Sequence, residues 1–214
     1  MTRSDNGTPL KSTTLIALLI VSTCSATADG DNRNEKNAEI AFKKGKELVS
    51  QKKEPQALPY FSLALKLRPN HPWAHLDRGT TYRDLGNMKS AMQDFKESMR
   101  INRTDAWGPF HYAKQLHKEK KYKEAIEYYN MSTRLDPKQY WFHYDKARAQ
   151  ISIGKYKDAI AELNTDVRLD RHRTQAYSAR AQAWEKLGRK DLAESDRKQG
   201  ANVDLTKVDL SRFP

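Results

Sequence analysis

Two sets of side chains in this sequence could do chemistry by type and spacing. The first is six histidines, His71, His75, His111, His117, His143 and His172, which invite a metal ion. Their spacing argues against one. His71 and His75 stand four apart, but Pro72 starts a helix between them and leaves His71 outside it. His111 and His117 are six apart and fall on different helical faces, and no cysteine or clustered carboxylates complete a ligand set. Packed histidines are the expectation, at His75 and His143 in particular, with no metal and no cofactor. The chain also lacks a Gly-rich phosphate loop, a nucleophile elbow and an H-E-x-x-H pair. Acid pairs such as Glu124/Glu127 read as solvated helix-surface charges, and no enzyme is expected.

The second set is aromatic and basic. Trp73, Trp107 and Trp141 lie 34 residues apart, and three residues after them come Leu76, Phe110 and Tyr144. Four further on stand Thr80, Lys114 and Arg148. Steps of three and four put each triplet on one face of a helix. Rings beside cations are binding chemistry: an exposed aromatic patch marks an interaction site, and Trp, Tyr and Arg are its favoured anchors. Lys114 and Arg148 would favour acidic residues in whatever is bound. A second expectation competes with this one. The tryptophans can pack as core on the preceding unit, Phe110 and Tyr144 can be partly buried, and the basic row can be a solvated face.

The elements that must position these residues repeat. Alanine recurs at 57, 91, 125, 159 and 193, and small residues recur at Gly45, Gly79, Ala113, Ala147 and Ala181. With 22 alanines in 214 residues, five at one phase reflect a real 34-residue period. The units run 38–71, 72–105, 106–139, 140–173 and 174–207, each read as two amphipathic helices. Gly86, Gly154 and Gly188 share one phase between the helices, as C-terminal stops. Pro69 and Pro137 share another, ending the second helix.

A 34-residue helix–turn–helix with those small residues, with Phe61, Phe95, Tyr129 and Leu163 at its large second-helix position and with a closing proline, resembles the tetratricopeptide repeat family. The resemblance covers 38–207. It implies an all-α, right-handed superhelical solenoid of five tandem helix–turn–helix units, whose concave face holds an extended peptide or a partner helix. On that basis Trp73, Leu76, Trp107, Phe110, Lys114, Trp141, Tyr144 and Arg148 are the expected partner-binding residues, and the expected partner is another protein or peptide. The family's binders of an acidic chaperone tail use Lys, Asn and Arg at places that here hold Phe42, Lys46, Asp77, Trp107 and His111. That clamp is absent. The fifth unit departs most, with Arg197 in a large apolar position and Gly200 near its helix end, as an outer face turned polar would.

Residues 1–28 are laid out as a secretory signal peptide: Arg3 and Lys11, then the apolar run 15–21, then Ala26-Thr27-Ala28 as the cleavage site. Cys24, the single cysteine, allows a rival reading as a lipidated first residue. Export to the periplasm or outside, or lipid anchoring, follows; membrane contact is expected only through that anchor. Residues 29–37 read as a flexible polar spacer and 208–214 as a tail. A net charge of +12 suggests acidic partners or nucleic acid. The basic clusters sit in turns among acids, and aromatics occupy the places where an RNA-reading repeat needs polar readers, so nucleic acid is not expected. The reading is a non-catalytic scaffold. Its rivals are an outer-membrane lipoprotein assembly factor and an architectural or self-associating array without a peptide site.

Overall fold

The computed structural model describes residues 28–203, and every regular element among them is an α-helix. The order is α1 (Ala28–Ser50), α2 (Glu54–Leu67), α3 (Ala74–Asp84), α4 (Met88–Ile101), α5 (Trp107–Lys118), α6 (Tyr122–Leu135), α7 (Tyr140–Ser152), α8 (Tyr156–Leu169), α9 (Thr174–Lys186) and α10 (Lys190–Ala201). The second helices start at 54, 88, 122, 156 and 190, one 34-residue step apart each time. The signal-peptide reading, Cys24 and the 208–214 tail lie outside the described residues. No helix among those described is long and apolar enough to cross a membrane.

Two compact units divide the chain, with the boundary inside α3 between Thr81 and Tyr82. In the first, Phe42, Leu48, Ala57, Phe61, Ala64 and Leu65 form the core between α1 and α2. Gly45 is there for space. A Cβ on it would sit 2.6 Å from the Phe61 ring, so only glycine lets the two helices approach this closely. In the second unit, Ala125, Ala159 and Ala193 are fully buried, as are Phe95, Tyr129 and Leu163. The repeat phases read from the sequence are therefore the core phases, because small and large residues interlock at native packing density.

Three details differ from the sequence reading. Residues 29–37 belong to α1 rather than to a spacer. Glu35 pairs with Arg68 at 3.9 Å, and no proline or glycine stands between Gly30 and Gly45 to stop the helix. Pro72 stands in the turn before α3 rather than at its first position, where its missing N–H is equally harmless. Gly200 is a packing residue, not a sign of decay. Its Cβ would lie 3.2 Å from Cβ of Tyr177, so α10 closes on α9 through it.

The turn inside each helix pair uses a left-handed residue at one phase. Gly86, Gly154 and Gly188 have φ of 83°, 78° and 76°, and Lys52 and Lys120 take the same conformation at 57° and 60°. The following amide closes the helix end: Lys121 N donates to Leu116 O and Lys155 N to Gln150 O, both at 2.9 Å. A lysine pays the steric cost of a left-handed backbone that glycine escapes. Lys120→Gly should therefore stabilise the protein by about 0.5–1 kcal/mol, read as a higher urea midpoint, and a lower midpoint would contradict this account of the turn.

Candidate partner-binding site

In the first unit, Trp73 is 43% exposed while Leu76 is buried. His71 prepares that region. Its Nδ1 accepts from the amides of Ala74 at 3.2 Å and Trp73 at 3.4 Å, capping α3, so its proton sits on Nε2, 3.3 Å from Glu39. The ring lies 4.5 Å from Phe42. Burial pushes its pKa down, against the pull of Glu39. A small pocket of about 260 Å³ is lined by Lys46, Val49, Ser50, Phe61, Asp77 and Thr80.

In the second unit the expected ring wall is largely closed. Phe142, on α7, inserts 4.7 Å from Phe110 and 5.0 Å from Trp107. Phe110 is buried by it, and Trp107 is left half-buried with His111 stacked at 5.8 Å. His111 Nδ1 accepts from Arg83 Nη1 at 2.9 Å. Burial, Arg83 and Lys114 together hold its pKa down at about 3, so it stays neutral across the physiological range. Leu76 and Phe110 are thus corrected from contact residues to core.

The cations of the row stand on the rings one turn before them. Lys46 Nζ is 5.7 Å from the Phe42 centroid, Lys114 Nζ 5.4 Å from Phe110, and the Arg148 guanidinium 5.8 Å from Tyr144. Each is an i,i+4 cation–π pair that leaves the charged head toward solvent. Lys114 and Arg148 are both exposed.

A residue that the sequence reading overlooked covers the start of α7. Arg173, in the turn before α9, is 3% exposed, and its guanidinium lies 4.0 Å from the Trp141 ring, 4.3 Å from Tyr140 and 5.2 Å from Tyr144. Its Nε is 3.2 Å from Asp166 Oδ1, within ion-pair reach but off the hydrogen-bond axis. Asp166 is fully buried, and that burial lifts its carboxyl to about 7 despite Arg173. His71, Asp105, Gln139 and Arg173 occupy the last position of successive units, so the signal was a polar residue every 34 positions before a first helix. Asp105 uses that place to accept from the Gly108 amide at 2.9 Å. His143, at the core edge, binds Glu162 at 2.7 Å and the Pro137 carbonyl at 3.0 Å. Burial lowers its pKa, but those two acceptors outweigh it and the net shift is upward.

What remains open is a pocket of about 430 Å³ lined by Tyr144, Arg148, Thr174, Gln175, Ser178 and Gln182. The structure thus brings Tyr144 and Arg148 together with polar side chains of α9 that the pattern did not single out. Another pocket of about 400 Å³, away from this face, is lined by Lys157, Ile160, Trp184, Leu187 and Arg189. Among the described residues no three His, Cys, Asp or Glu side chains group as metal ligands.

Family models described as tetratricopeptide repeat match residues 74–105 and 116–183. The chain is a tetratricopeptide repeat protein. Solved tetratricopeptide structures share the fold. MamA 41-end from Desulfovibrio magneticus RS-1 is 15% identical, with a TM-score of 0.72 over 80% of this chain and 97% of that one. YrrB, described as a TPR protein with an unusual peptide-binding site, is 15% identical, with a TM-score of 0.68 over 89% and 96%. Pseudomonas aeruginosa PilF is 16% identical, with a TM-score of 0.71 over 80% and 78%. No curated protein sequence matches the chain. As a tetratricopeptide repeat protein it belongs to a class of protein-interaction scaffolds.

Asp166 gives a pH test of this buried tetratricopeptide interior. Its folded pKa lies above the unfolded value of about 3.9, so its contribution to stability is present at low pH and is lost as pH rises through about 7. Wild type should gain on the Asp166→Asn variant by about 1–3 kcal/mol between pH 8 and pH 5, measured by urea unfolding. A difference that does not change with pH would refute the assignment.

Proposed function

We propose that the protein is a non-catalytic scaffold that holds an acidic peptide or partner helix against α5, α7 and α9. The observation that carries this reading is the open pocket bounded by Tyr144 and Arg148 on α7 and by Thr174, Gln175, Ser178 and Gln182 on α9. A half-buried ring gives an apolar contact, while the guanidinium, hydroxyls and amides offer donors to a peptide's acids and carbonyls. Lys114 extends the positive strip by one repeat. A solved neighbour of the same fold is described as binding peptide, which supports the class of ligand without naming it. Trp141 is not among the pocket's lining residues and Trp73 lies in the first unit, so the contact is built on Tyr144, Arg148 and Lys114 more than on a wall of tryptophans.

Fluorescence anisotropy with labelled hexa-aspartate, against hexa-lysine as control, tests the reading. The Tyr144→Ala/Arg148→Glu double variant should bind hexa-aspartate about tenfold more weakly or worse, with the melting temperature within a few degrees of wild type. Lys157→Glu, in the other pocket, should leave binding nearly unchanged. Equal binding by the double variant, or no preference for the acidic peptide, would favour an architectural array instead.

A further inference from the structure

The charge balance beneath the positive strip carries an inference that rests on the acidic-ligand reading. The sixth position of successive units holds Lys43, Asp77, His111, Asp145 and Ala179. Asp145 is 7% exposed on α7, below the two exposed cations. Arg148 Nη1 comes to 3.6 Å from its Oδ1. Lys114 from α5 and Arg173 from the turn before α9 also pull on its charge. The remaining titratable neighbours are Tyr129 of α6 and Tyr144 of α7, both of which respond to it. Arg173 already has Asp166 as its partner, so Asp145 answers chiefly to Lys114 and Arg148. The arrangement occurs a second time: Lys46 and Asp77 hold the same two repeat positions in the first unit, where both line its pocket.

We propose that Asp145 is the specificity-determining residue of the site, an internal carboxylate that offsets one of the two charges of Lys114 and Arg148, so that a peptide with several adjacent carboxylates is retained and one with a single acid is not. Two cations above one fixed anion leave a net charge of about one for the ligand to meet, which is too little to hold a lone exposed carboxylate. A run of acids reaches both cations at once and gains from each. Because Asp145 is nearly buried, its carboxyl resists ionisation more than an exposed one.

The test uses the full chain, labelled hexa-aspartate and a hexaglutamine peptide carrying one aspartate, by anisotropy at pH 7.5. Asp145→Asn should bind hexa-aspartate about two- to fivefold more tightly than wild type at pH 7.5, and should bind the single-acid peptide that wild type leaves free. An Asp145→Asn protein of native circular dichroism whose affinity is unchanged or weaker overturns the proposal. Asp145→Ala is the second variant should the first not fold, judged by the same two criteria. Lys114→Ala/Arg148→Ala separates the two readings. If it weakens hexa-aspartate binding while Asp145→Asn changes nothing, only the role of Asp145 falls. If it binds like wild type, or if wild type does not bind, the acidic-ligand reading falls and this inference with it.

Discussion

The closeness with which the two helices of a repeat can approach governs everything else in this protein. Gly45 facing the Phe61 ring shows the constraint at its tightest, and the buried alanines at the same phase, Ala113, Ala147 and Ala181, show it relaxed by one methyl group. Interiors at native density tolerate little change of volume, so small and large residues must keep their phase through every unit. The second helices accordingly begin at strict 34-residue intervals, while the first helices, whose starts depend on differing turn residues, do not. With the seam committed to packing, variation is left to the opposite edge of each first helix and to the turn that precedes the next.

Those turns are where charge enters the interior. His71 and Arg173 occupy equivalent positions, and both fold back over the rings of their own unit's first helix. One is a neutral imidazole that caps a helix; the other is a guanidinium matched to Asp166. A buried ion pair is weak evidence of stability, since desolvation offsets much of the attraction. Its effect here is positional, because Arg173 lies against the rings of Trp141 and Tyr144, and Arg148 stands by the same Tyr144 ring. The open pocket is therefore shaped by residues that never reach its surface.

How much of this was legible follows from which residues obey the repeat. Helix pairing, the alanine and aromatic core phases and the cation one turn after each ring could be read directly, since each depends on local spacing. What covers Phe110 could not, because it is Phe142, a residue of the following unit whose phase looks unremarkable on its own helix. The left-handed turns at Lys52 and Lys120 hid behind the assumption that such a position shows itself as glycine. Arg173 and Asp145 were missed for a common reason: a polar residue in a turn or on a helix edge looks solvated until the neighbouring unit closes over it. Thr174, Gln175, Ser178 and Gln182 carry neither the ring nor the cation of the earlier units, so nothing marked them, yet they supply one wall of the pocket.

The central claim is that the α5–α7–α9 face of the second unit receives another chain. Indole N–H resonances report on it, because Trp141 is linked to the pocket's Tyr144 through Arg173, which lies 4.0 Å from one ring and 5.2 Å from the other, while Trp184 lines a different pocket. Titrating hexa-aspartate into the ¹⁵N-labelled protein should move the Trp141 indole peak progressively and leave Trp184 in place. A spectrum in which Trp184 alone moves, or in which no indole responds at saturation, would contradict the account.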